Sequence, residues 1–74
     1  MNVPEYIEHM KTMNIQSCYI GRGTERGRKY IKLYNILTNG QHSAFQFIND
    51  ITGDIFRADS WVKRGRKIGN VQDF

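Results

Sequence analysis

The fold is decided by residues 29–58, whose sequence is KYIKLYNILTNGQHSAFQFINDITGDIFRA. Apolar and aromatic residues alternate with polar ones over 29–37, 42–49 and 54–58, a period of two that is typical of β-strands. Asn39-Gly40 separates the first two runs and favours a tight type I′ hairpin turn. Asp50-Ile51-Thr52-Gly53 separates the second and third runs, with glycine where a turn needs a positive φ. The stretch therefore predicts an antiparallel three-stranded meander.

The two turns also predict a register, and the register decides which side chains share a face of the sheet. The first turn pairs Tyr34 with Phe45 and places Lys32 opposite Phe47, and the second pairs Phe47 with Phe56. One face would carry Tyr30, Tyr34, Ile36, Phe45, Phe47 and Phe56. The other would carry Ile31, Leu33, Leu37, Ala44, Ile48 and Ile55, mixed with Asn35, His42, Gln46 and Arg57. Since neither face is cleanly polar, one needs a helix and the other needs the tail, a partner or partial exposure.

The segments around the meander complete the predicted fold. Residues 2–14 are predicted to be a helix, because Asn2 and Glu5 match a capping box and Pro4 is tolerated in a first turn. A short strand is predicted over 16–21, a loop over the glycine-containing segment 21–27, and an irregular tail over 60–74. The predicted fold class is α+β, with an N-terminal helix packed on a small antiparallel sheet of three to four strands.

Length and charge limit the class of protein. The chain has 74 residues, enough for one domain, and its net charge is +4. Nine of its eleven Lys and Arg residues fall in two clusters. The clusters are Arg22, Arg26, Arg28, Lys29 and Lys32, and Lys63, Arg64, Arg66 and Lys67. Clustered cations favour a polyanionic partner such as nucleic acid, or an acidic protein surface, and the structural alternative is a solvated basic rim.

The cellular compartment is indicated by the single cysteine and the first residues. Cys18 has no partner for an internal disulfide, which fits a reducing compartment. We expect it to be buried in a strand, and the alternative is a reactive nucleophile. Glu5 and Glu8 stand where a signal peptide needs apolar residues, and no apolar run approaches the roughly 20 residues of a membrane span. The sequence predicts a cytosolic protein without membrane association.

No motif for catalysis or metal binding is found in the sequence. His9 and His42 fall on different predicted elements, without cysteine or carboxylate at metal-ligand spacing. Asp50 and Asp54 are interpreted as turn residues. The segment 21–27 lacks the Gly-Lys-Ser/Thr ending and the following helix of a nucleotide-binding loop. We therefore expect no enzyme activity, no cofactor and no metal.

A repeat of four residues is the most unusual local feature. Arg26-Gly27-Arg28-Lys29 returns as Arg64-Gly65-Arg66-Lys67. Arginine binds phosphate oxygens in pairs, and basic residues beside flat rings are typical of surfaces that bind single-stranded nucleic acid. The candidate nucleic-acid-binding residues are Arg26, Arg28, Lys29, Tyr30, Tyr34, Arg64, Arg66 and Lys67. The structural alternative is that the aromatic residues belong to the core.

Trp61 is predicted to fold the tail back over the sheet so that the two basic segments meet. We expect its ring to be mostly buried, because a polar tail needs an apolar anchor.

Several short stretches follow a common order: Lys29-Tyr30-Ile31-Lys32, Phe45-Gln46-Phe47-Ile48, Thr52-Gly53-Asp54-Ile55, Ser60-Trp61-Val62-Lys63 and Gly69-Asn70. With these stretches, residues 29–71 resemble a type of small phage-encoded protein that is itself uncharacterised. The chain departs from that pattern where Arg64-Gly65-Arg66-Lys67 replaces prolines and alanines. The resemblance implies a phage origin and expression in a bacterial cytoplasm, and it implies no particular activity.

Two functions stay open at this point. The first is a non-catalytic accessory protein that binds nucleic acid, which the charge clusters and neighbouring rings favour. The second is a protein that binds and modulates a host protein such as a polymerase, nuclease or defence factor. The surplus apolar sheet face favours this second function, and it would also serve for a homodimer.

Overall fold

The structure is a computed structural model that describes residues 1–13 and 17–74. Its elements are α1 (Val3–Thr12), β1 (Tyr19–Arg26), β2 (Tyr30–Leu37), β3 (His42–Asn49), β4 (Asp54–Ala58), β5 (Arg64–Asn70) and a 3₁₀ turn, η1 (Val71–Asp73). The strands form one antiparallel sheet in the order β1-β2-β3-β4-β5. The α+β fold and the meander are confirmed, and the sheet has five strands where three to four were expected.

The predicted capping box begins α1. Asn2 Oδ1 accepts a hydrogen bond from Glu5 N at 2.9 Å, and Glu5 Oε1 accepts one from Asn2 N at 3.1 Å. The helix ends at Thr12, and position 14, its predicted last residue, lies outside the described residues. At this end Arg22 of β1 donates to the backbone carbonyls of Met10 and Met13. The last carbonyls of a helix lack partners within it, so Arg22 joins the helix to the sheet.

Two segments that were expected to be irregular are strands instead. β1 starts at Tyr19 and includes most of the segment 21–27, pairing with β2 as far as Arg26. Position 16, where a strand was predicted to start, lies outside the described residues. β5 replaces the predicted irregular tail and pairs with β4. Both segments have weak side-chain patterns, and pairing of their backbones with a neighbouring strand outweighs that weakness.

The first hairpin turn is one residue longer than predicted. Gly40 N donates to Leu37 O at 2.9 Å, and Leu37 N donates to Gln41 O at 2.8 Å. The loop therefore holds three residues and ends on Gly40, whose φ is +88°. This is the three-residue hairpin with glycine in the left-handed region, and the predicted two-residue type I′ turn was wrong.

A β-bulge on β3 compensates for the longer loop. Tyr34 pairs with Ala44, and the extra residue on β3 is Phe45. Beyond the bulge the predicted register is confirmed, including the pairs that Phe47 makes with both neighbouring strands. The bulge changes three side-chain assignments. Ala44 pairs with Tyr34 and so shares its face, where it was expected on the opposite one. Phe45 packs against the core beside α1, where it was expected next to Tyr34, and His42 stacks on Tyr34, where it was expected on the opposite face.

The hydrophobic core lies between α1 and one face of the sheet, which we call the helix face. Its members are Val3, Tyr6, Ile7, Ile31, Leu33, Ile48, Ile55 and Val71. The Tyr6 hydroxyl donates to Gln46 Oε1 at 2.7 Å, so the polar groups buried here are paired. Burial raises the pKa of Tyr6.

A set of hydrogen bonds, which we call the clamp, joins Thr52 and Asp54 to Asn70. Asn70 Nδ2 donates to Thr52 O at 2.9 Å and to Asp54 Oδ1 at 3.0 Å. Gly53 has the predicted positive φ, at +78°, and a Cβ there would lie 2.7 Å from the Val71 side chain. Two stretches of the resemblance, Thr-Gly-Asp and Gly-Asn, thus meet at the start of β4 and the end of β5.

Cys18 is exposed, not buried as expected. The strand begins at Tyr19, one residue later, so the cysteine lies in a turn and not on a face of the sheet.

In the described parts of the chain, no helix is both long and apolar enough to cross a membrane.

Candidate functional site

Rings and cations line the sheet face that is turned away from α1, which we call the aromatic face. On β2, Tyr30, Lys32 and Tyr34 alternate with the buried residues of the helix face and so point to the opposite side. Phe47 of β3 lies opposite Lys32, and Phe56 of β4 lies opposite Phe47. The aromatic face is therefore continuous over the three central strands.

The Tyr30 cluster occupies one end of this face and consists of Tyr30, Phe56 and Arg64. The two rings meet edge to face, with centroids 5.7 Å apart and an interplanar angle of 83°. The Arg64 guanidinium carbon lies 4.4 Å from the Tyr30 centroid and 4.7 Å from that of Phe56. These are cation–π distances. Because Arg64 is an exposed residue, its side chain also faces solvent.

The Tyr34 cluster occupies the other end and consists of Tyr34, His42 and Trp61. The Tyr34 and His42 rings are stacked, with centroids 4.6 Å apart and planes 24° from parallel, and the Trp61 centroid lies 5.5 Å from that of Tyr34. Gly23 of β1 makes room for this arrangement, since a Cβ there would come within 2.5 Å of the Tyr34 hydroxyl. Gly23 therefore leaves room for the Tyr34 ring to lie over β1.

Trp61 is carried to this position by the loop of residues 59–63 between β4 and β5. The loop is closed by Asp59 N, which donates to Lys63 O at 3.0 Å, and it passes over the sheet towards β2. Trp61 is 38% exposed. The expectation of a mostly buried ring was wrong, because Trp61 lies on top of other aromatic-face side chains and not beneath them.

Lys32 lies between the two clusters. Its side chain is only 11% exposed, and its Nζ is 3.9 Å from the Trp61 centroid and 6.0 Å from that of Phe47. Glu25 Oε2 lies 3.9 Å from the same Nζ. The positive charge of Lys32 is thus held among rings in the middle of the aromatic face, with one carboxylate at its edge.

A groove of about 510 Å³ opens beside the Tyr30 cluster. The turn between β1 and β2 contributes Gly27, Arg28 and Lys29, and the last hairpin contributes Val62 and Arg64. The remaining lining residues are Glu25, Tyr30, Lys32 and Phe47. The two basic segments therefore meet across an aromatic floor. The volume lies in the range of about 300–1,000 Å³ that is typical of ligand sites.

The structure brings together half of the predicted binding residues. Arg28, Lys29, Tyr30 and Arg64 line the groove, and Tyr34 lies in the Tyr34 cluster. The others lie outside the groove. Arg26 forms an ion pair with Asp50, Lys67 forms one with Asp54 at 3.0 Å, and Arg66 is exposed on β5.

Sequence reasoning missed several members of the site, chiefly Lys32, Phe47, Phe56, Trp61 and Val62. A signal for the first three existed, because strand alternation places Lys32 with Tyr30 and the predicted register places both phenylalanines beside it. Trp61 was expected to fold the tail back over the sheet, but no signal indicated its contacts with Tyr34 and Lys32 or the place of Val62 in the groove. The positions of Trp61 and Val62 depend on the path of a loop, which periodicity does not predict.

Among residues 1–13 and 17–74, no three His, Cys, Asp or Glu side chains lie close enough together to hold a metal ion. No protein family, curated protein or solved structure was found that matches this chain. The site is therefore interpreted from its own geometry and chemistry.

Proposed function

We propose that the protein binds single-stranded nucleic acid across the aromatic face and acts without catalysing a reaction. The observation that supports this most is the groove, where cations from both basic segments border an aromatic floor. Cations bind phosphates, and unstacked bases lie on aromatic rings and on guanidinium planes. A single strand offers both its phosphates and its base faces, whereas a duplex keeps the base faces inside the helix.

The charges of the site favour a few phosphate contacts. Arg28, Lys29 and Arg64 are exposed at the groove, whereas Arg26 and Lys67 are engaged by the carboxylates of Asp50 and Asp54. If these three exposed groove cations each bind one phosphate, log K falls by about 2 per log unit of salt, at about 0.7 per contact on a single strand.

The test compares cations of equal charge at different places. Binding of labelled single-stranded DNA and RNA is followed by fluorescence anisotropy at several salt concentrations. Arg28→Gln and Arg64→Gln remove groove cations, and Arg26→Gln and Lys67→Gln remove paired cations of the same two segments. We expect the groove variants to bind more weakly and to lower the salt slope by about 0.7 each. The paired variants should bind nearly as the unaltered protein does.

Two results would contradict the proposal. If all four variants weaken binding equally, the basic charge attracts the strand without a defined site. If the unaltered protein retains neither DNA nor RNA at low salt, nucleic-acid binding is excluded. A duplex of the same sequence should bind more weakly than the single strand, because its bases are not free to stack.

A protein partner is the second candidate function. Val62, which lines the groove, is 83% exposed, so an apolar contact at the basic groove is available. Basic charge would favour an acidic target such as a host polymerase, nuclease or defence factor. Affinity capture from a bacterial lysate with and without nuclease separates the two candidates, since a direct protein partner survives nuclease treatment.

For the biological setting we propose a phage accessory protein that acts in a bacterial cytoplasm. This rests on the resemblance of residues 29–71. The clamp supplies a physical reason for two of its stretches, because Thr-Gly-Asp and Gly-Asn hydrogen-bond to each other. Those two stretches then serve the fold. The groove takes Lys29, Tyr30, Lys32, Phe47 and Val62 from the other stretches of the pattern, and Arg64 from the segment where the chain departs from it.

A further inference from the structure

We infer that the aromatic face holds two separate base-stacking positions, one at each cluster, with a gap of one to three nucleotides between them. This rests on the proposed function and specifies how the strand lies. The Tyr34 cluster presents the indole of Trp61, and the Tyr30 cluster presents the guanidinium of Arg64. Both groups are flat, and both belong to residues that are exposed at the surface of the sheet.

The spacing of the two clusters follows from the strand that carries them. Tyr30 and Tyr34 are four residues apart on β2, which corresponds to about 13 Å at about 3.3 Å per residue. A strand that advances about 3.4 Å per nucleotide covers this distance in about four steps, which leaves three nucleotides between the two stacked bases. A more extended, unstacked strand covers it in about two or three steps and leaves one or two nucleotides between them. Two adjacent bases therefore cannot occupy both clusters.

The middle of the face, between the clusters, carries positive charge and no exposed ring for a base. Lys32 places its Nζ there, between the Trp61 ring and the carboxylate of Glu25, and Phe47 beneath it is only 8% exposed. Arg28 and Lys29 lie at the groove beside the Tyr30 cluster. The nucleotides between the two stacked bases are thus expected to be bound through the backbone, which carries the charge that these cations attract.

The experiment uses oligothymidylates of two to eight nucleotides and a set of tetramers and pentamers with one abasic position each. Anisotropy reports total binding, and the fluorescence of Trp61, the only tryptophan of the chain, reports occupancy of the Tyr34 cluster. Affinity should rise steeply up to about four nucleotides and slowly beyond. Loss of a base at either end position should weaken binding roughly tenfold or more, and loss of an interior base should have little effect.

A pair of variants assigns the positions. With Trp61→Leu, loss of the base at one end should no longer weaken binding, whereas loss of the base at the other end should still do so. Arg64→Gln should show the opposite pattern. The abasic ligands test the inference even if a variant fails to fold. Equal sensitivity at every position, or affinity that rises uniformly with length, would overturn the two-position arrangement and leave the proposed function standing. Absence of binding to every oligothymidylate, and to longer single-stranded DNA and RNA at low salt, would overturn both.

Discussion

The two faces of the sheet are made by alternating residues of the same strands, yet they are closed in different ways. On the helix face, Leu33 and Ile48 have no exposed surface, and an aliphatic core is sealed by α1. On the aromatic face, Tyr30 and Phe56 are half-buried and covered by Arg64. The helix face thus excludes water with apolar side chains, whereas the aromatic face is covered by a cation that solvent also reaches.

The difference indicates a division between stability and binding. Burial of apolar area is the main favourable term in folding, so the helix face should carry most of the free energy of unfolding. The aromatic face buries less and keeps flat groups and charges at the surface, which costs stability and leaves groups available to a ligand. Substitutions on the two faces should therefore have opposite ratios of stability loss to binding loss.

Leu33→Ala should have the largest effect on stability. The side chain is fully buried under α1, and truncation of a buried leucine costs about 2–5 kcal/mol, a large part of the stability of a small domain. Urea unfolding followed by circular dichroism measures the change. At a temperature where the variant is folded, its affinity for single strands should match that of the unaltered protein. A loss smaller than that of Trp61→Ala would show that the aromatic face carries the stability.

Trp61→Ala should cost less stability and more binding. A fully buried tryptophan costs about 3–5 kcal/mol on truncation, and this indole is 38% exposed, so we expect about 2 kcal/mol. Binding should fall at least roughly tenfold, the value of one stacked base. The same urea and anisotropy measurements decide the matter. A loss above 3 kcal/mol with unchanged binding would assign Trp61 to the core and contradict the division between the faces.

The part of this arrangement that the sequence predicts is the part governed by local periodicity. The helix start at Asn2, the central strands and the positive φ of Gly53 all follow from patterns within a few residues. The pairing of Lys32 with Phe47 also follows, because the longer first turn and the bulge at Phe45 cancel in the register. One extra residue in the loop therefore misplaced His42, Ala44 and Phe45, and the predicted register beyond the bulge was unaffected.

The rest depends on long-range pairing that no local pattern contains. β1 contains Gly21 and Gly23, which favour a loop when considered alone and become strand residues through their pairing with β2. The groove depends on the path of residues 59–63 over the sheet, which is fixed by the contacts of Trp61 with Tyr34 and Lys32. The repeat predicted which cations to consider, but not that Asp50 and Asp54 engage two of them.

Gly23→Ala should disturb the aromatic face while leaving the helix face intact. Its Cβ would lie 2.5 Å from the Tyr34 hydroxyl, so the ring must move, and such overpacking costs about 1 kcal/mol. Gly21→Ala is the matched control on the same strand, because no atom lies within 4 Å of its Cβ, and its effect should stay within about 0.5 kcal/mol. Fluorescence of Trp61 should change in the first variant only. Equal spectra would mean that Gly23 does not position the Tyr34 cluster.

The smallest effect concerns the clamp, which holds β4 to β5 and so supports the hairpin that carries Trp61 and Arg64. The hydrogen bond from Asn70, and next that from Lys67, lower the pKa of Asp54 below its ordinary value. A carboxyl group with a lowered pKa in the folded state contributes stability above its unfolded pKa, and this contribution is lost as the pH falls through the folded pKa.

Thermal unfolding should therefore give a higher melting temperature for the unaltered protein than for Asp54→Asn at neutral pH, and the difference should shrink between about pH 5 and about pH 2. In a Lys67→Gln background this pH-dependent difference should be smaller but still present, because the hydrogen bond from Asn70 lowers the pKa of Asp54 more than that from Lys67 does. A difference in melting temperature that does not change with pH would mean that the clamp acts through its neutral hydrogen bonds and not through the charge of Asp54.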